Sequence, residues 1–173
     1  MKSRTNTTVM SRRHVPCLAI LLVAVILALA PQLTLAADQV PFSAAFATEF
    51  ESVVAFPIAH IAVVGRGRAL HLGAATAVTT DQAVNLITGL ATATYTLTAA
   101  NGDTVVLALE FQTTFLPGAV TFEGSYTVAG GTGRFAGATG SGSMSGSATF
   151  LGPSNGVGSF AVAGTISSPG SLK

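Results

Sequence analysis

The sequence predicts an all-β protein, an antiparallel barrel of about eight strands, with a β-sandwich as the alternative. Three observations carry this expectation. Beyond Ala37, apolar and polar residues alternate with period two, and helical periodicity is scarce. Glycine-bearing turns punctuate the alternating runs. At that spacing, residues 38–173 hold about eight strands as a single domain, enough to close a barrel that side chains can fill.

The first strand is read from Phe42, Ala44, Phe46 and Phe50, which alternate with Ser43, Glu49 and Glu51. Residues 58–72 are strand-like but interrupted by Gly65 and Gly67, and glycine inside a strand marks a bulge, a bend or a close backbone approach. Arg66 and Arg68 share a parity with Leu70 and Leu72, so either the arginines pass a barrel rim or Gly67 hosts a bulge.

The clearest run is 91–115. Ala93, Tyr95 and Leu97 face one way and Thr92, Thr94, Thr96 and Thr98 the other; after Asn101-Gly102, Val105, Leu107, Leu109 and Phe111 continue the apolar face. A two-residue Asn-Gly turn would place Thr96 opposite Leu107 and mix the faces. A three-residue loop, Ala100-Asn101-Gly102, pairs Leu97 with Val105, Tyr95 with Leu107, Ala93 with Leu109 and Thr92 with Glu110, so every face agrees. The sequence therefore predicts a type I turn with a glycine bulge and a left-handed Gly102.

A turn at Pro117-Gly118 then matches Phe115 with Val120 and Leu109 with Tyr126, completing a three-stranded meander with Val120, Phe122, Tyr126 and Val128 inward. The glycine- and serine-rich last third keeps its own parity. Ser141, Ser143, Ser145, Ser147 and Thr149 alternate with Gly142, Met144, Gly146, Ala148 and Phe150, and Phe160, Val162 and Ile166 repeat the pattern, which gives a closing hairpin with a hydroxyl-rich outer face.

Residues 1–37 have the grammar of a signal peptide. Lys2, Arg4, Arg12 and Arg13 precede an apolar core of 14 residues, 17–30, and Pro31 with small residues leads to a cleavage site after Ala36 or Ala37. That core is shorter than the ~20 residues that span a bilayer, so no permanent membrane anchor is expected, and Sec-type export places the product as secreted or periplasmic. A twin-arginine reading of Arg12-Arg13 conflicts with the nearby Pro16, and Cys17 precedes the apolar core where a lipidation cysteine would follow it.

Export would remove the chain's one cysteine and leave four basic against seven acidic residues, a net −3. Such a domain carries no basic footprint for nucleic acid, and its stability must come from core and sheet rather than a disulfide.

The sequence motifs have plain structural readings. Gly130-Gly131-Thr132-Gly133-Arg134-Phe135-Ala136-Gly137 imitates a dinucleotide fingerprint, but the following residues are poor helix formers and no acid follows downstream, so no cofactor is expected; a tight turn with Phe135 anchoring the loop to the core is. Gly152-Pro153-Ser154-Asn155-Gly156 fits a nucleophile elbow in spelling only, since no histidine lies beyond His71. His60 and His71 lack ligand-spaced partners, so no metal site is expected. Glu110 and Glu123 fall on the threonine-bearing outer face, where solvated carboxylates keep a sheet soluble.

Gly65-x-Gly67, His71-Leu72-Gly73, Ala99-Ala100-Asn101-Gly102-Asp103 and Gly130-Gly131-Thr132-Gly133-Arg134-Phe135 together resemble bacterial secreted proteins related to the allene oxide cyclase and dirigent barrels, across residues 60–167. The resemblance implies an eight-stranded antiparallel barrel, in some relatives a homotrimer, whose plant members cyclise a fatty-acid epoxide or steer coupling of phenolic radicals. Those barrels use charged or polar groups inside the cavity. Here the assigned inward faces offer only tyrosine hydroxyls. The expectation is therefore a barrel that binds a small apolar ligand through Tyr95, Leu97, Leu107, Leu109, Phe111, Phe122 and Tyr126, with a structural or surface protein and a cyclase-like enzyme as alternatives.

Overall fold

The alternating runs form eight strands: β1 (Gln39–Ala55), β2 (Ile58–Ala69), β3 (Gly73–Asn85), β4 (Leu90–Ala99), β5 (Thr104–Leu116), β6 (Ala119–Gly131), β7 (Gly140–Phe150) and β8 (Asn155–Ser167). A single 3-10 turn, Gly133–Phe135, lies between β6 and β7. These assignments come from a computed structural model that describes residues 38–167; the expected signal peptide, 1–37, lies outside the described residues. Each strand pairs antiparallel with the next and β8 pairs back to β1, closing the barrel. Closure leaves no free sheet edge, which rules out the sandwich.

The meander has the predicted register. Leu97 faces Val105, Tyr95 faces Leu107, Ala93 faces Leu109 and Thr92 faces Glu110. Gly102 has φ +87°, and its amide donates to the Ala99 carbonyl at 3.0 Å while the Ala99 amide donates to the Asp103 carbonyl at 2.9 Å. Across the next turn, Phe115 faces Val120, Leu109 faces Tyr126 and Glu110 faces Ser125.

β2 corrects the sequence reading. It is continuous through Gly65 and Gly67, with no bulge at Gly67. Arg66, Arg68 and Leu70 all point outward, while Leu72 is 7% exposed. The parity changes at His71, whose left-handed φ of +70° turns Leu72 into the core. Of the three expected meanings of a strand glycine, Gly67 is the close approach: a Cβ there would run into the backbone of Ala45 and Phe46 on β1.

A one-residue insertion lies in β6 at Ala129, and another in β3. Val78 faces Thr96 and Ala83 faces Thr92, so four residues of β3 span three of β4. Before it, Ala75, Ala77 and Thr79 are buried; after it, the inward set is Gln82 and Val84. Asp81 closes the gap that the bulge opens. Its carboxylate accepts from the Thr79 hydroxyl at 2.7 Å and from the Thr94 amide at 2.9 Å, and the Thr79 hydroxyl accepts from the Asp81 amide at 3.3 Å. The Thr79 bond, with help from the Thr94 amide and against partial desolvation, holds the Asp81 carboxyl below its ordinary value.

One end of the barrel is knotted shut. Phe135 is 1% exposed and packs into the core beneath the β6–β7 loop, as the glycine turn predicts. Arg134 Nε donates to Asp103 at 2.9 Å, Arg134 Nη2 donates to the His71 carbonyl at 3.2 Å, and the His71 ring meets the Pro41 carbonyl at 2.9 Å. Three loops and the start of β1 thus share one hub. Gly133, at φ +59°, leaves the space that the Asp103 carboxylate occupies.

The Arg134 hydrogen bond, then that of Asn101, lowers the Asp103 carboxyl below 3.8. A depressed folded-state value contributes stability that is present at neutral pH and lost as pH falls through it. The urea midpoint of the wild-type barrel should therefore exceed that of Arg134→Gln at neutral pH, with the gap closing as pH drops below 3.8. A gap constant across that titration would show that Asp103 contributes nothing through Arg134.

Candidate functional site: an apolar cavity open at one end

The barrel interior divides into a packed half and an open half. Toward the knotted end, Leu97, Val105 and Leu107 are fully buried, and Leu109, Tyr126, Phe42 and Phe135 are each 1% exposed. The Tyr126 ring lies over Gly142 and Gly164, which face each other across β7 and β8, and meets the Phe42 ring edge-on at 6.2 Å. Its hydroxyl reaches the Thr165 carbonyl at 3.4 Å, and burial raises its pKa. Glycines on β7 and β8 recur as seats for rings from other strands, Gly146 for Phe122 and Gly156 for Phe50.

Toward the other end lies a cavity of about 330 Å³. Phe50, Val63, Val84, Phe111 and Phe122 form much of its wall, and Tyr95, Phe160 and Met144 lie at its depth. Tyr95 packs on Phe160 with ring centroids 5.0 Å apart, and Phe160 stacks on Phe46 at 5.2 Å, so an aromatic layer separates cavity from packed half. Of the residues expected to line a ligand site, Tyr95, Phe111 and Phe122 do line this cavity. Leu97, Leu107, Leu109 and Tyr126 share the inward face but lie in the packed half, outside the cavity lining.

The lining is not purely apolar. Thr48, Ser52, Gln82 and Thr113 contribute to it from the inward face, which corrects the expectation that tyrosine hydroxyls are the sole polar groups inside. Tyr95 donates its hydroxyl proton to Gln82 Oε1 at 2.9 Å. Burial, and secondarily the Asp81 carboxylate, push the Tyr95 pKa up, so Tyr95 is a neutral donor at physiological pH. The Thr113 hydroxyl is buried with no hydrogen-bond partner. An unpaired polar atom out of water costs about 1–3 kcal/mol, so an interior that keeps one is exceptional.

The turns at the mouth are largely apolar. Four turns frame it: Phe56-Pro57, residues 86–89, Pro117-Gly118 and residues 151–154. Among the described residues none of these turns carries an ionisable side chain. Phe56, Val53, Ile87 and Leu151 are 74%, 72%, 69% and 68% exposed, and Val54, Phe115 and Phe150 belong to both rim and cavity lining. Scattered apolar residues are normal on a surface, but several gathered at one opening mark a site that meets apolar matter.

The other sequence candidates lie elsewhere. His60 faces outward on β2, His71 belongs to the closed-end hub, and Glu110 and Glu123 stand on the outer wall. Ser154 sits in the β7–β8 turn, its carbonyl accepting from the Ser52 amide at 2.7 Å. No cluster of three His, Cys, Asp or Glu side chains gathers among the described residues.

No protein-family model matches the chain, and a search of the curated proteins returns no match. Among solved structures the chain is similar to the pterocarpan synthase dirigent protein, at 13% identity over 80% of this chain and 97% of that one, with a TM-score of 0.45. The fold rests on its own strand pairing.

Proposed function

We propose that the barrel binds one small, predominantly apolar molecule in the cavity at its open end. The observation that carries this reading is the 330 Å³ void itself, lined by aromatic and aliphatic side chains in a domain whose other half is packed to exclusion. Protein interiors are close-packed, and pockets of roughly 300–1,000 Å³ that are mostly apolar with a few polar groups are the usual form of small-molecule sites. A purely structural barrel would gain stability by filling the space. A cyclase-like reading has less support, because the described lining offers no carboxylate or imidazole to move a proton.

Binding can be read with a neutral phenylnaphthylamine dye, since the chain contains no tryptophan to compete in emission. The dye should brighten on the wild-type barrel. Ala148→Phe, which places a ring in the cavity from a half-buried wall position, should weaken binding at least about tenfold, or 1.4 kcal/mol, with the urea midpoint little changed. Equal affinity in the two proteins would place the dye outside the cavity and remove the basis for the reading.

A further inference from the structure

The β3 bulge determines what chemistry faces the cavity. In an unbroken strand, the inward series Ala75, Ala77, Thr79 would continue at Asp81 and leave Gln82 outside. The extra residue reverses this. Asp81 goes to the outer wall, where the Thr79 hydroxyl and the Thr94 amide hold it, and Gln82 enters the lumen. Bulges disrupt the ladder locally and are used next to sites to re-aim a side chain. Gln82 is then fixed from inside, because Tyr95 occupies its Oε1 at 2.9 Å. The Tyr95 ring is itself wedged against Phe160.

With the carbonyl side of Gln82 engaged, its Nε2 group is left as a donor toward the cavity. Gln82 stands among largely apolar walls. No lining residue is cationic, and none of the mouth turns is either. A carboxylate entering this space would lose its hydration with no counter-charge to replace it, which is prohibitive for an ion and mild for a neutral acceptor.

Resting on the proposed binding function, we propose that Gln82 is the specificity-determining residue of the cavity. Its amide donates to the oxygen of an uncharged carbonyl compound, so the ligand class is neutral ketones and esters with an apolar body rather than free fatty acids.

The test uses displacement of the phenylnaphthylamine dye by methyl nonyl ketone, undecane and decanoate at mildly alkaline pH. Wild-type protein should bind the ketone at least about 100-fold more tightly than decanoate, the uncompensated charge being the reason. In Gln82→Leu the ratio of ketone to undecane affinity should fall about tenfold, the worth of one buried hydrogen bond, while undecane binds at least as well as before. Should Gln82→Leu fail to fold, Tyr95→Phe reads the same point: it releases the Gln82 amide and should lower the ketone preference without lowering undecane affinity. Unchanged ketone-to-undecane ratios in the folded variants, or tighter binding of decanoate than of the ketone, overturn the assignment of Gln82. Failure of the dye and all three compounds to bind would instead overturn the binding function on which it rests.

Discussion

Phe135→Ala is expected to destabilise the barrel by about 3–5 kcal/mol, the range for deleting a fully buried aromatic ring. The ring is 1% exposed and fills the knotted end. It also lies beneath the Arg134 guanidinium, 5.5 Å from ring centre to carbon, so its loss loosens the hub that binds Asp103 and the His71 carbonyl. Domains of this size have about 5–15 kcal/mol in all, so the variant should sit near its unfolding threshold at room temperature. The measurement is a urea titration, with Phe122→Ala as comparison. Phe122 is only partly buried and borders space already empty, so its truncation should cost less than half as much while enlarging the cavity. Equal losses would mean that the two ends of the barrel are equally packed.

Gly164→Ala is the second large effect, and here a methyl is added rather than removed. A Cβ at this position would lie 2.8 Å from the Tyr126 hydroxyl and 2.5 Å from the Gly142 Cα, with the Ser141 carbonyl also in the way. Overpacking of this kind costs about 1–3 kcal/mol. Thermal melting should show the loss, and a double-mutant cycle with Tyr126→Ala should show coupling, because removing the ring frees part of the space that the methyl needs. Strict additivity would show that the backbone contact with β7 alone sets the cost.

The sequence is most readable where alternation is unbroken. Register across Ala100-Asn101-Gly102 and Pro117-Gly118 follows from matching faces, and the pairs Leu97–Val105 and Leu109–Tyr126 are found where that argument puts them. Parity, however, reports only whether a side chain points in or out. It is silent on height along the barrel axis, which is why Leu97, Leu107, Leu109 and Tyr126 share a face with Tyr95 and Phe111 yet lie in the packed half. Height is set by which loops plug an end, and Phe135 is buried beneath the loop that plugs this one. Thr113 was within reach, since it continues the series Leu107, Leu109, Phe111 by two residues.

Gln82 was hidden for a different reason. A bulge reverses parity without altering composition, and the hydrogen bonds that stabilise it join Thr79 and Asp81 to a neighbouring strand. The one local hint is an acid and an amide adjacent in an otherwise apolar and threonine-rich run. At β2, Gly65 and Gly67 leave bulge, bend and close approach open in the sequence, and only the strand pairing decides for the close approach of β1. His71, Asp103 and Arg134, which belong to the glycine-rich motifs of the sequence, fasten the closed end and take no part in the cavity.

The absence of charge from the mouth turns has a kinetic meaning for the proposed ligand. A funnel lined with one sign of charge concentrates its ligand and speeds encounter, at the cost of making the rate depend on ionic strength. Turns such as Phe56-Pro57 and Pro117-Gly118 exert no such pull. The ligand we propose would be captured by collision and by the shedding of water from the rim, and its rate of loading should be the same at low and at high ionic strength.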